Sequence, residues 1–259
     1  MTALWAEKST VKLSELARKT RIVLLPVGST EQHGPHLPLG TDHIIAWELC
    51  KEVANKIDAV VLPLLPYGYS DDHLPMMGTV SLKPSTLMKI IRDIAVGVSI
   101  YGFKHLVIVS GHAGHIYHLF ALTQWLNTSL NLRGMTVHNI SPYLIVSMET
   151  LSTILSEEIF IHAEELETSL MLFLRPDLVD MSKAVRELPD FIPRGMTTAN
   201  FNEAIRILTT SRFLGRDFKT GVCGDATLAT KEKGEKLFKL FVNALAEEIK
   251  RVTASTELL

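Results

Sequence analysis

Two periods of apolar and polar residues alternate along this chain, and their order sets the expected fold. IVLLPV at 22–27 is apolar throughout and ends at Gly28, as in a strand buried on both faces. From Asp42 the period lengthens: in HIIAWELCKEVANKI, Ile44, Ile45, Leu49 and Val53 share one face of a helix. AVVLPLL at 59–65 predicts a second strand, broken by Pro63 and closed by the turn-rich PYGYSDDH. SLKPSTLMKIIRDIAVGVSIYG predicts a helix capped at Ser85. HLVIVSG at 105–111 is the clearest strand, followed at once by the helix HIYHLFALTQWL. MTVHNI at 135–140 predicts another strand, leading into a helix from about Ser141. ELETSLMLFL predicts a helix stopped at Arg175-Pro176, and KEKGEKLFKLFVNALAEEIKRV a closing amphipathic one.

Alternating strands and helices predict an α/β protein with a mostly parallel sheet covered on both faces. No repeat, linker or low-complexity tract divides residues 1–259, so a single domain is expected. Residues 184–222 carry no clear period. They are read as an excursion or an oligomer contact, with Phe191, Ile192, Phe201 and Phe213 exposed.

Composition narrows the class. Of 259 residues 47% are apolar, enough for a substantial core, and the net charge of −2 offers no basic field for nucleic acid. MTALWAEKSTVKL lacks the basic start and apolar centre of a signal peptide, and no apolar run is long enough to span a membrane. The two cysteines, Cys50 and Cys223, are expected to be reduced thiols. A globular cytoplasmic protein is expected.

Against that background one segment stands out. GSTEQHGPHLPLGTDH at 28–43 crowds three histidines, a glutamate and an aspartate among turn residues. It follows one strand, and SGHAGH at 110–115 follows another, so both land at the carboxyl edge of the sheet, where α/β proteins bind ligands. Glu31 and His33 are two apart and point to the same side of an extended backbone. Asp42 reads either as a helix N-cap or as a carboxylate ligand, and the roles are compatible. His112 reads as a structural histidine or a ligand; His115 and His118 fall on the following helix, with His118 at the surface. His36 and His43 are weaker candidates. In HAEELETS at 162–169, Glu164 and Glu165 suit an acidic first turn, whereas Glu167 precedes an apolar run and is expected to face inward, where it needs a partner. Glu, His and Asp without cysteine favour Zn²⁺, Mn²⁺ or Fe²⁺, and a shared Asp suits two metals that activate a water and polarise a carbonyl.

These blocks together resemble the creatininase family of metal-dependent amidohydrolases. GSTEQHGPHLPLGTD is similar to its signature loop, and PYGYSDDHLPMMGTVSL to its second block, with Ser70, His73, Gly78 and Thr79 in matching places. SGHAGH resembles its Asn-Gly-His-Gly-Gly-Asn turn, HAEELETSLML its His-Ala-Gly helix start, and GVCGDATLATKEKGE its C-terminal block. The resemblance runs from about residue 20 to 250. It implies a three-layer α/β/α sandwich. It also implies two divalent metals, Zn²⁺ and/or Mn²⁺ with Fe²⁺ as a third choice. Glu31, Asp42 and His112 would hold one, His33 and the shared Asp42 the other. Creatinine-hydrolysing members can carry a glutamate where this chain has Gly114, and Glu167 is the carboxylate expected in its place. His162 matches a histidine assigned to proton transfer.

Three departures bear on substrate. Ser110 and His115 replace the two asparagines, Glu164 replaces a glycine, and Trp5, Trp47 and Trp125 lie outside the segments expected to enclose a ring. The expected activity is hydrolysis of a C–N amide bond in a small cyclic or formylated substrate, with creatinine turned over weakly or not at all. Ser70, His73, Thr79 and His115 are expected to line the substrate pocket. Opening of an oxidised sugar or inositol ring, or ligand binding without catalysis, are the competing readings. The expected partner is a small molecule, not nucleic acid or membrane, and the resemblance implies a homo-oligomer, commonly a hexamer.

Overall fold

The fold is taken from a computed structural model and described for residues 3–130, 132–210 and 218–256. Five strands form the central sheet: β1 (Ala3–Leu4), β2 (Ile22–Val27), β3 (Val60–Val61), β4 (His105–Ser110) and β5 (Thr136–Ile140). Their order is β1-β3-β2-β4-β5, and every pairing is parallel. The central pair keeps register from Ile22 opposite His105 to Val27 opposite Ser110. Two strands that end level deliver the loops after Val27 and Ser110 side by side at one edge. That register places the site.

Alternation along β2 and β4 divides the core. Val23, Leu25, Val27, Leu106 and Ile108 pack under one helical layer: α1 (Thr10–Lys19), α3 (Pro84–Ser99) and α4 (Ile116–Ser129). Leu24, Val107 and Val109 pack under the other: α2 (Thr41–Ile57), α7 (Glu165–Leu174) and α9 (Lys231–Thr256). The architecture is the expected three-layer α/β/α sandwich. Each fully buried aliphatic side chain contributes about 1.5–3 kcal/mol by leaving water, so the two-faced burial of β2 and β4 anchors the edge they present.

Several expected boundaries move. Pro63 limits the second strand to two residues, and beyond it only an isolated bridge joins Leu65 to Val27. The third helix starts at Pro84 with Lys83 in the cap position, not at Ser85, because proline's fixed φ suits the first helical residue. The helix expected from Ser141 is two single turns, α5 (Pro142–Ile145) and α6 (Met148–Leu151), parted at Val146, whose backbone is extended. Helix α1 lies outside the elements expected; Ser9 caps it by accepting from the Lys12 amide at 3.3 Å, and Leu13, Leu16 and Ala17 face the core.

The stretch 184–222 contains helix α8 (Thr198–Thr210) and the edge of a small antiparallel pair, β6 (Arg186–Glu187) with β7 (Gly224–Asp225). Phe191 is exposed as expected, but Ile192 and Phe201 are buried within their own chain, and Phe213 lies outside the described residues.

Candidate metal centre

The loop after β2 carries Glu31 and His33, and α2 brings Asp42 in its first turn. Gly40 occupies the cap position, so Asp42 does not cap the helix; it lies buried with its carboxyl beside His33 and His112. Helix α2 can approach this closely because Gly111 has no side chain: a Cβ there would stand 2.4 Å from the Asp42 carbonyl oxygen. His112 stands two residues beyond the end of β4, after Gly111. Its Nδ1 lies 3.2 Å from Glu31 Oε1 and 3.1 Å from Asp42 Oδ2. His33 Nε2 lies 3.1 Å from Asp42 Oδ1 and 3.7 Å from Glu167 Oε2. Three groups of ligand atoms converge, each within 4.8 Å: Glu31 with Asp42 and His112, His33 with Asp42 and Glu167, and Glu31 with His33 and His162.

The outer nitrogens of the two histidines show which way each ring faces. His33 Nδ1 donates to the Glu31 carbonyl at 3.1 Å, and His112 Nε2 donates to the Tyr69 carbonyl at 3.1 Å. Each inner nitrogen is thereby left as the donor atom for a cation, the arrangement that orients metal-ligating imidazoles. Both Glu31 oxygens and Asp42 Oδ2 are buried without a hydrogen-bond partner; His112 is close to two of them, but not aligned to donate. Uncompensated buried carboxylate oxygens are costly, and a cation removes that cost. The donor set fits a pair of divalent metals sharing Asp42.

With protein groups alone, the charges compensate one another through histidine protonation. Burial works against charge on His33, but Asp42, Glu167 and Glu31 outweigh it and raise its pKa to about 10. The same contest, won by Glu31 and Asp42, holds His112 well above its ordinary value. Glu31 is held well below the usual carboxylate range despite burial, by His112, His73 and His33. Burial pushes Glu167 up to about 7, His33 opposing it.

His162 enters from a bridge to Cys223 and precedes Ala163, whose φ of 52° is left-handed. That conformation, unfavourable for a residue with a Cβ, turns the chain so that His162 faces the nest while the Ala163 amide donates to Glu167 Oε2 at 2.7 Å. His162 Nε2 donates to the Gln32 carbonyl at 2.9 Å, leaving Nδ1 to face Glu31 Oε1 at 3.9 Å. Burial, with His33 and His73 nearby, keeps the ring neutral. Gln32 is a site residue that the motifs did not single out: its amide lies 3.0 Å from His73 Nδ1 and 3.2 Å from the Gly221 carbonyl, tying three loops together. Its position between Glu31 and His33 was the available signal.

A cleft of about 670 Å³ opens over this floor, lined there by His73, His112, His162 and Glu167. Of the four residues expected to line the substrate pocket, only His73 does so. Ser70 is buried against Ser29, and Thr79 accepts from the Gln32 amide at 3.1 Å. His115 is fully buried, with Nε2 accepting from the Tyr69 amide at 3.1 Å and Nδ1 3.1 Å from Ser110 Oγ. It serves as a wedge between two loops, and burial beside His112 lowers its pKa to about 3. His118 is half-exposed on the cleft wall, stacked edge-on against Tyr69 and outside the groups of ligand atoms. No tryptophan lines the cleft among the described residues.

Ligand nests that share one aspartate, at the carboxyl edge of a parallel sheet and open to a cleft, define a metal-dependent hydrolase with a di-metal site. The chain belongs to the creatininase family: the family model described as creatinine amidohydrolase matches residues 6–249. It is 33% identical over 236 residues to the mycofactocin precursor peptide peptidase of Mycolicibacterium smegmatis, covering 89% of this chain and 85% of that one. It is 29% identical over 250 residues to the creatinine amidohydrolase of Pseudomonas putida, with 88% of each chain covered. The 3-dehydro-scyllo-inosose hydrolase of Thermotoga maritima is 27% identical over 274 residues, with 97% of this chain and 84% of that one covered. Among solved structures, a manganese creatininase superposes with a TM-score of 0.77 at 26% identity, and a mutant creatininase of Zn-Zn type with 0.80 at 27%; each comparison covers 97% of this chain and 98% of the other.

Proposed function

We propose that this protein hydrolyses a C–N amide bond of a small substrate, using two divalent ions held by Glu31, His33, Asp42, His112 and Glu167. The observation that carries the reading is the pairing of His33 and His112, each tied at its outer nitrogen to a backbone carbonyl and turned at its inner nitrogen toward Asp42. Bound there, the ions would supply an activated water and a Lewis acid for the carbonyl. His162 is assigned the proton: Nδ1 is its lone-pair nitrogen, so it takes a proton at that atom and returns it to the leaving nitrogen. The Gln32 carbonyl holds the ring in that tautomer. His73, whose Nε2 lies 3.4 Å from Glu31 Oε1, stands where it can contact substrate at the floor. Ser70, Thr79 and His115 are assigned to support the loops behind that floor.

Zinc or manganese is the proposed pair, supported by the Zn-Zn and manganese forms of the similar creatininases; Fe²⁺ fits the same donors. The similarity to an inosose hydrolase supports a second reading, ring opening of an oxidised inositol. The deciding experiment screens creatinine, other cyclic amides, N-formyl compounds and oxidised inositols with added Mn²⁺ or Zn²⁺. Amide turnover with weak or absent creatinine hydrolysis is expected. Turnover confined to the inositols would replace the amide reading with the second one.

The proposed working form is a homo-oligomer, a hexamer by family resemblance, of single-domain chains in the cytoplasm. No described helix is long and apolar enough to cross a membrane. Met77, 97% exposed, and the half-exposed Leu74 and Val80 beside it offer contact surface. Light scattering at micromolar concentration tests the assembly, and a monomer there would refute it.

A further inference from the structure

The cleft above the metal centre is larger and more apolar than one small ring requires. At about 670 Å³ it falls within the range of about 300–1,000 Å³ that buries drug-sized ligands. Away from its polar floor, one wall is built from Phe160, Ile161, Leu166, Phe201 and Ile205, with the Tyr143 ring beside them and its hydroxyl buried without a hydrogen-bond partner. They come from α5, the segment before His162, α7 and α8. Phe201 and Ile205 are one helical turn apart, which puts both on the same face of α8, and the Phe160 and Phe201 rings lie 5.7 Å apart. Tyr143 is held from behind by Phe241, edge to face at 6.0 Å. A wall of stiff aromatic side chains, fixed by their own packing, exists before any ligand arrives.

The charges lining the cleft point the same way. Apart from the floor, the ionisable carboxyls are Asp71, Asp72 and Glu164, and among the described residues no lysine or arginine lines the cleft. Asp71 is engaged by Lys83 at 2.6 Å, while Asp72 is exposed near the rim. An anionic substituent on this wall would give up water against apolar rings and carboxyls with no described cation to receive it.

We propose that this wall is a subsite for an uncharged apolar arm of the substrate, aromatic by preference. The inference rests on the di-metal hydrolase reading and adds what the enzyme holds beyond the reacting bond. Helix α8 then closes the far side of the subsite through Phe201 and Ile205.

Three hydroxamates with the same chelating head test it, because the head engages the metals whatever bond the enzyme cleaves. Acetohydroxamate, 3-phenylpropionohydroxamate and succinomonohydroxamate are titrated calorimetrically into the full chain, shown by mass spectrometry to hold zinc. The phenyl probe is expected to bind about tenfold or more tighter than acetohydroxamate, from the apolar area its ring buries. The carboxylate probe is expected to gain nothing. Phe201→Ala should cut the phenyl advantage to about threefold. Ile205→Ser, at a half-buried position, should lower it too, and serves if the first variant does not fold. Equal affinity for the phenyl and methyl probes, or tightest binding of the carboxylate probe, overturns the subsite and leaves the hydrolase reading standing. No binding of any probe to the zinc-loaded protein removes both.

Discussion

His33 Nε2 lies 3.1 Å from Asp42 Oδ1, joining a loop histidine to a helix carboxylate nine positions later. The second Asp42 oxygen is 3.1 Å from His112 Nδ1 on a different loop, so one carboxylate stands between both nests. It does so from inside the first turn of α2, with Gly40 in the cap position. Its conformation is compatible with a ligand role and not with a capping one.

Asp42→Asn therefore separates the two roles. The helix should persist in circular dichroism, since no side-chain cap is lost. Metal content should fall at least as far as the ~10–100-fold affinity loss typical of outer-shell changes, and activity with it. Retention of two metals per chain would remove Asp42 from the ligand set.

Metal uptake should release protons. With His33 raised to about 10 and His112 well above its ordinary value, both rings are protonated near neutrality when no metal is bound, and each must lose a proton to ligate. Affinity should rise as pH climbs toward about 10, by up to tenfold per pH unit for each proton displaced. Calorimetry in buffers of different ionisation enthalpy checks this; a heat independent of buffer would contradict it.

The same shift governs stability of the chelator-treated protein. A histidine raised from 6.5 in the unfolded chain to about 10 in the fold stabilises fully below 6.5. That contribution disappears as pH rises through about 10. Denaturant midpoints of the stripped protein should decline across that window, while those of the metal-loaded protein, whose histidines are already unprotonated, should lack this component.

His162→Gln should lower kcat by about 10²–10⁴ with both metals retained, as expected for loss of a proton-transfer group. His162 also belongs to one convergent triad with Glu31 and His33. Metal analysis of the variant decides: a lost equivalent makes His162 a ligand instead.

His115→Ala should act on stability rather than on substrate choice. It strands the Tyr69 amide, while Ser110 Oγ keeps its bond to the His112 carbonyl, and a buried unpaired donor costs about 1–3 kcal/mol. A lower Tm with unchanged relative kcat/KM across substrates is expected. Altered preference at unchanged Tm would restore it as a specificity residue.

The chain announced its strands and most of its candidate ligands through local pattern. IVLLPV and the LVIV of HLVIVSG are apolar throughout because both faces of β2 and β4 are covered. Glu31, His33, Asp42 and His112 stood out because ionisable groups cluster after two neighbouring strands, a relation the element order already implied; Glu167 stood out as a carboxylate leading into an apolar run, and His162 through the family resemblance. Tertiary structure alone decided which candidates reach the cleft. Ser70 and Thr79 sit in the same block as His73, and His115 in the same turn as His112, yet their side chains turn into loop packing; motif membership does not specify side-chain direction. The apolar wall was equally hidden: Tyr143, Phe160 and Phe201 are far apart in sequence and meet only where α5, α7 and α8 close over the sheet edge. Residues joined by long-range packing leave no period along the chain, whereas a buried strand or a ligand-bearing loop writes its pattern within a few residues.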